Sequence, residues 1–186
     1  NMVCYTLGTG VGGGIIINGE IYEGAGMAGE VGHISVVPDL EAIQCGCGQY
    51  GCLETVSSAT GIQRMANDAV ERGDQTALSA SGDPINAKAV FDAAKEGDEV
   101  AQRIVDRSAY YLGKSMAALA VILNPDLFII GGGVSKAGEI LFEPIREVFA
   151  KLSPPSVQEG TQIVPAMLGN DAGMIGAAGL NLHNEA

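Results

Sequence analysis

Six residues in one 25-residue stretch, EVGHISVVPDLEAIQCGCGQYGCLE, carry the side chains best suited to chemistry: Glu30, His33, Cys45, Cys47, Cys52 and Glu54. One imidazole and three thiolates complete a tetrahedral zinc shell and leave no position for a reactive water, so His33, Cys45, Cys47 and Cys52 read as an architectural metal site. Gly46, Gly48 and Gly51 let the backbone turn sharply enough for the three sulfurs to face one ion. Glu30 lies three residues before His33 and Glu54 two after Cys52, so fixing the metal ligands also fixes two carboxylates. Those carboxylates are placed to grip hydroxyl groups.

The rest of the composition narrows the setting. A chain of 186 residues, 47% hydrophobic, suits one domain with a sizeable core. Its formal net charge of −12 argues against a nucleic-acid partner, since that affinity rests on lysine and arginine neutralising phosphates. The ten basic residues are scattered along the chain without a patch. No apolar run approaches a bilayer span, and residues 1–14 lack the basic start and apolar middle of a signal peptide, which makes a cytoplasmic location the default. Three cysteines within eight residues fit metal binding in a reducing compartment better than disulfides, and Cys4, in an apolar run, reads as a small buried side chain. The chain opens directly in a strand-like run with no methionine at position 1, as the C-terminal piece of a longer protein would.

Positioning these residues requires a sheet. Met2 to Leu7 reads as a buried strand entering the glycine loop Gly8 to Gly14, and Ile15 to Ile17 resume strand character before the Asn18-Gly19 turn returns the chain through Glu20 to Tyr22. Three antiparallel strands result. The loop either offers bare backbone amides to a phosphate or merely relieves strain in a hairpin; it matches neither the Walker A nor the dinucleotide pattern. Ile34 to Val37 suggests a short strand ended by Pro38. A helix is expected after Glu54 with Ser57, Ser58 and Thr60 near its start, then a polar connection from Asp74 to Pro84, a helix capped by Asn86, and a long helix running to Asn124-Pro125. The adjacent Tyr110 and Tyr111 read as packing residues. Leu127 to Ile130 has the continuous apolar character of a buried parallel strand, and Gly131, Gly132 and Gly133 follow it either because α/β sheets bind ligands there or because helix-to-strand packing requires bare backbone. Glu139 to Leu152 forms a helix, Ile163 to Ala166 an edge strand with Pro165, and Asn170-Asp171 caps a closing helix over 172–182. This order suits an α/β, ribonuclease-H-like domain, one half of the actin-like kinase architecture.

The chain resembles the ROK family (repressor, open reading frame, kinase), and within it the glucokinases of Gram-positive bacteria. The resemblance rests on LGTGVGGG at 7–14, EVGH at 30–33, CGCGQYGCLE at 45–54 and IIGGGVS at 129–135. The EXGH and CXCGXXGCXE patterns are met in full. The resemblance implies zinc on His33, Cys45, Cys47 and Cys52, and a hexose held by Glu30, His33 and Glu54. It places Gly8, Thr9 and Gly10 on the phosphate side of an ATP site, with Gly131, Gly132 and Gly133 on the adenosine side and Mg²⁺ on the phosphates. It further implies a homodimer, and phosphoryl transfer to a hexose with glucose favoured by the SSATGI run at 57–62; fructose, N-acetylmannosamine and allose kinases share the core motifs. The family's DXGGT-like loop and its aspartate base lie in an N-terminal half not found here, so no catalytic base is assigned in this chain. A sugar-responsive repressor of the same family is the competing expectation, and a zinc-stabilised scaffold with no ligand leaves Glu30 and Glu54 unexplained.

Overall fold

A computed structural model describes residues 1–80 and 84–183. Its sheet has the order β3-β2-β1-β4-β5. β1 (Met2–Leu7) is the middle strand because alternation puts Val3, Tyr5 and Leu7 on one fully buried face. β2 (Val11–Ile17) pairs antiparallel to it and turns back into β3 (Glu20–Ile21). Asn18 (φ 55°) and Gly19 (φ 83°) supply the two left-handed positions of the two-residue hairpin. On the other side β4 (Leu127–Gly131) runs parallel to β1, and β5 (Gln162–Pro165) parallel to β4 at the edge, where the missing N–H of Pro165 is tolerated.

Helices cover the face carrying Val3, Tyr5 and Leu7. The chain leaves the knuckle region through a short α1 (Glu54–Ser57) and a longer α2 (Ala59–Glu71), where one continuous helix had been expected. Ser58 separates them: in extended conformation, it accepts a hydrogen bond from Gly61 N at 2.9 Å and starts α2 afresh. Asn86 caps α3 (Ala87–Lys95) through Ala89 N, and Asp98 caps α4 (Glu99–Leu123) through Ala101 N. α4 ends at Asn124, which adopts φ 40° before Pro125. α5 (Glu139–Leu152) packs along α4 through Gly113, where a Cβ would stand 2.8 Å from Ile145 O. Beneath these helices the Tyr5 hydroxyl meets Ser115 Oγ at 2.9 Å, and Phe128 lies between Tyr5 and Phe149 at ring separations of 6.3 and 5.9 Å. Tyr111 is buried as expected; Tyr110 is its edge-on neighbour and is partly exposed.

Three local expectations are corrected. Gly12 to Gly14 are not loop but part of β2, paired with Thr6, Tyr5 and Cys4. A Cβ on Gly13 would lie 2.5 Å from Gly29 O and 2.6 Å from Val31 Cγ2, so bare backbone here lets the 29–32 segment cross the strand. Ile34 to Val37 makes no strand, only an isolated bridge between Ser35 and Cys52 after a 3-10 turn at Val31–His33. The polar connection holds a 3-10 turn, Ala77–Ala80, which buries Leu78; residues 81–83 of it lie outside the described residues. A short α6 (Pro155–Gln158) precedes β5, and α7 (Ala172–His183) closes the described chain, with the proposed Asn170 cap outside the described side chains. Among the described residues no helix is long and apolar enough to cross a membrane.

Candidate functional site

The knuckle brings its four expected ligands together: the donor atoms of His33, Cys45, Cys47 and Cys52 lie within 4.8 Å of one another. Zinc–sulfur bonds of about 2.3 Å at tetrahedral angles demand sulfur separations of about 3.8 Å. Cys47 Sγ and Cys52 Sγ stand 3.7 Å apart, and Cys45 Sγ stands 3.7 Å from His33 Nδ1. The donor set therefore has close to the spacing of a tetrahedral cation site. Burial, with crowding by the neighbouring thiols, pushes Cys52 up to about 12 and raises Cys45, whereas the Gln49 backbone amide lowers the exposed Cys47. A bound cation reverses that penalty, because thiolates are what it binds.

Local geometry explains how so open a segment turns on itself. Gly48 (φ 91°) closes the tight turn in which Gly48 N donates to Cys45 O, and Gly51 (φ 75°) passes so close to Val37 O that a Cβ would sit 2.7 Å away. Val36 N and Val37 N both donate to Gly51 O, and Leu53 N donates to Ile34 O, tying the two arms of the knuckle.

The two carboxylates take different places around the metal ligands. His33 turns Nδ1 toward Cys45 and leaves Nε2 4.0 Å from Glu30 Oε2, so one ring nitrogen serves the cluster while the other faces a carboxylate. Glu54 begins α1 and reaches the opposite way. Its Oε1 lies 3.6 Å from Cys45 Sγ and its Oε2 accepts a hydrogen bond from Val11 N at 3.0 Å. A Cβ on Gly10 would stand 2.2 Å from that same Oε2. Glu54 thus braces the glycine turn against the knuckle, a contact nothing in the sequence signals.

Two clefts meet at that turn, at the carboxyl ends of the parallel strands β1 and β4. The first, about 440 Å³, is lined by Gln44, Cys45, Glu54, Thr60 and Arg64 and closed on one side by Thr9 and Gly10. The second, about 490 Å³ and more apolar, holds Gly8 and Thr9 on one wall and Gly133 and Val134 on another, with Phe91 and Lys88 of α3 across from them. The two glycine loops expected to share a ligand are therefore brought together. Of the predicted residues, Gly8, Thr9 and Gly133 face this second cleft. Gly131 pairs with Thr6 in the sheet, and Gly132 (φ 88°) makes the turn out of β4, where a Cβ would lie 2.4 Å from Leu7 O. Glu54 and Gly10 line the first cleft, whereas Glu30 and His33 line neither. Phe91, Lys88, Gln44 and Arg64 escaped the sequence reading because they sit on ordinary helix or loop positions with no motif.

The expectation of scattered basic residues is also corrected. Arg64, Arg72, Arg103 and Arg107, four of the five arginines, line a third cleft of about 290 Å³ between α2 and α4. Their separation in sequence hides that two helices bring them face to face.

Comparison with known proteins agrees with this geometry. The chain matches the ROK family over residues 1–184. It is 50% identical to a glucokinase of Halalkalibacterium halodurans over 184 residues, covering 97% of this chain and 56% of that protein. Its fold is similar to that of a ROK family glucokinase from Streptomyces griseus solved with glucose and AMPPNP, with TM-score 0.82 and 40% identity over 96% of this chain and 59% of that one. A ROK family transcriptional regulator, a homologue of the E. coli MLC protein, gives TM-score 0.79 at 31% identity over 89% of this chain and 41% of that one. The chain thus spans little more than half the length of the curated relatives it matches.

Proposed function

This chain belongs to the ROK family, and from that premise we propose that it forms the C-terminal domain of a hexose kinase that transfers the γ-phosphoryl group of ATP to glucose. The observation that carries the reading is the Glu54 bridge. One carboxylate touches the knuckle at Cys45 and the glycine turn at Val11 N, where the first cleft meets the second. A cleft edged by a fixed carboxylate suits sugar hydroxyls, and the more apolar cleft ending at bare glycine backbone suits a base and its phosphates. The solved Streptomyces griseus relative holds glucose and AMPPNP together, which supports two ligands on this fold.

In this reading Glu54, which lines the first cleft, accepts a hydrogen bond from a sugar hydroxyl, and Glu30 and His33 Nε2, which line neither cleft, are the further sugar contacts that the family resemblance implies. Metal on His33 Nδ1, Cys45, Cys47 and Cys52 holds the imidazole in one tautomer and the knuckle in one shape; as zinc it is structural, since all four positions are taken by protein. Gly8 and Thr9 approach the phosphates, with Gly10 on the first-cleft side of the same turn, and Gly133 lies beside the adenosine while Gly131 and Gly132 shape the strand end behind it; Lys88 lines the same cleft. Mg²⁺ carried with ATP would neutralise phosphate charge. The hydroxyl's proton acceptor is not assigned to this chain, so residues 1–186 alone are expected to lack turnover. In the same reading the full-length protein is cytoplasmic and, as the family resemblance implies, homodimeric, and the net charge of −12 argues against a nucleic-acid partner for this chain.

A second reading, a sugar-responsive regulator, is favoured by the similarity to the MLC homologue. It would keep the knuckle and the first cleft but has no use for the second, whose glycine walls and Phe91 point to the kinase. A coupled assay of the full-length protein with ATP and a panel of hexoses tests this: turnover highest with glucose is expected, and no turnover with any hexose would reject the kinase reading.

A further inference from the structure

The cleft between α2 and α4 has no part in the function proposed above, yet it gathers most of the arginine in a chain of net charge −12. Three carboxylates share it. Asp68 takes Arg64 Nη1 at 2.6 Å, Asp74 takes Arg72 Nη2 at 3.0 Å and Glu41 takes Arg107 Nη1 at 2.7 Å. Four guanidiniums against three carboxylates leave an excess of positive charge. The excess is localised: Arg103 has no ion-pair or hydrogen-bond partner among the described residues, and Arg64 Nε is buried with no acceptor. A buried N–H without an acceptor is costly, and a planar guanidinium free to bind in a fork is matched to phosphate or carboxylate oxygens. The exposed Arg72–Asp74 pair contributes little and can exchange partners readily.

We propose that this cleft is a regulatory site for a small phosphate-bearing anion, anchored by Arg103 and Arg64 Nε and flanked by Arg72 and Arg107. A cleft of about 290 Å³ admits an anion the size of pyrophosphate or the phosphate end of a sugar phosphate, not a whole nucleotide. The site is coupled to the first cleft through one side chain. Arg64 lines both clefts, and its Nη2 donates to Thr55 O at 3.3 Å, one residue after Glu54. An anion that draws Arg64 toward Arg103 lengthens that already long contact and shifts the start of α1, where Glu54 stands. Hexose affinity then depends on the anion.

The coupling rests on the sugar reading; the anion site does not, and the test separates them. Inorganic pyrophosphate and inorganic phosphate are titrated separately by calorimetry into the full-length protein at low salt, with the first cleft unliganded and the second saturated with ADP. Binding of at least one is expected, with Arg103→Glu weakening it by about tenfold or more, the effect of losing one charge-assisted contact, and Lys88→Ala in the second cleft leaving it unchanged. Saturating anion is expected to change glucose affinity in the wild type and not in Arg103→Glu, whose glucose affinity without anion stays that of the wild type. No binding of either anion, or equal binding by wild type and Arg103→Glu, overturns the site. Glucose affinity indifferent to a bound anion overturns the coupling, whereas anion binding lost in Arg103→Glu in a chain that binds no hexose rejects the sugar reading and leaves the anion site standing.

Discussion

The sheet core and the knuckle hold their shapes by different physics. Where α4 and α5 meet the sheet, Tyr5, Phe128 and Ile130 of the strands and Leu141 and Ile145 of α5 are fully buried, and side chains fill the space between helix and strand. Between Glu30 and Glu54 many side chains face water, Leu40 completely, and apolar burial is confined to Val31, Val36, Val37, Leu53 and the two inner cysteines. A few backbone hydrogen bonds and four converging ligands replace the core there. On the proposed reading, a region that presents carboxylates to a polar ligand cannot bury itself in hydrocarbon, and a cation would provide rigidity without covering the surface.

The largest effect should come from the metal. Structural zinc in small peptides carries roughly 10–16 kcal/mol of apparent binding energy, so Cys52→Ser or chelation should loosen residues 30–54 and abolish a stoichiometry of about one metal per chain. Hydrogen exchange should rise at Val36, Val37 and Leu53 while Val3 and Phe128 stay protected; uniform exchange through both regions would break the contrast. The converse change, Phe128→Ala, should cost about 3–5 kcal/mol of global stability, read by denaturant titration, and metal should leave only as the whole domain unfolds.

A smaller effect tests the link between the regions. Glu54→Gln keeps an acceptor for Val11 N but removes the charge, and loss of a charged hydrogen bond of about 1.5–3 kcal/mol predicts a tenfold or greater rise in the glucose KM of the full-length protein. Melting temperature and metal content should not move; an unchanged KM would leave Glu54 a brace and nothing more. The smallest belongs to the core's rim. Burial alone would raise Asp98, but hydrogen bonds from Ala101 N, Ala77 N and Thr76 Oγ1 outweigh it and hold the carboxyl below its ordinary value. Its contribution is therefore complete above the ordinary carboxylate pKa of about 3.9 and fades as pH falls through the lower folded value. Asp98→Ala should cost about 1 kcal/mol at neutral pH, with the difference from wild type shrinking in acid.

Much of this was legible because it is local. The Asn18-Gly19 hairpin, the cap at Asn86, and the apolar run of β4 each follow from residues within a few positions of one another. The misreadings share a cause. Gly12 to Gly14 look like a loop because glycine is usually a turn residue, but their reason is the approach of Gly29 O and Val31. Ile34 to Val37 look like a strand because three of the four are β-branched and apolar, but no ladder lies alongside except at Ser35 and Cys52. Asp98 as a clamp on the 76–77 turn, and Ser58 as the break between α1 and α2, depend on where the neighbouring segment happens to run.

By itself the sequence determined the grouping of one histidine and three cysteines, most of the elements and the family, because side-chain chemistry and short spacing survive without coordinates. Only the tertiary structure decided that Gly8 meets Gly133 across parallel β1 and β4, that Glu54 leans on Gly10 and Val11, and that four arginines distant in sequence share one cleft. Such meetings are settled by strand register and by the packing of α2 against α4. Those depend on the whole core closing at once, and no short window of residues contains them.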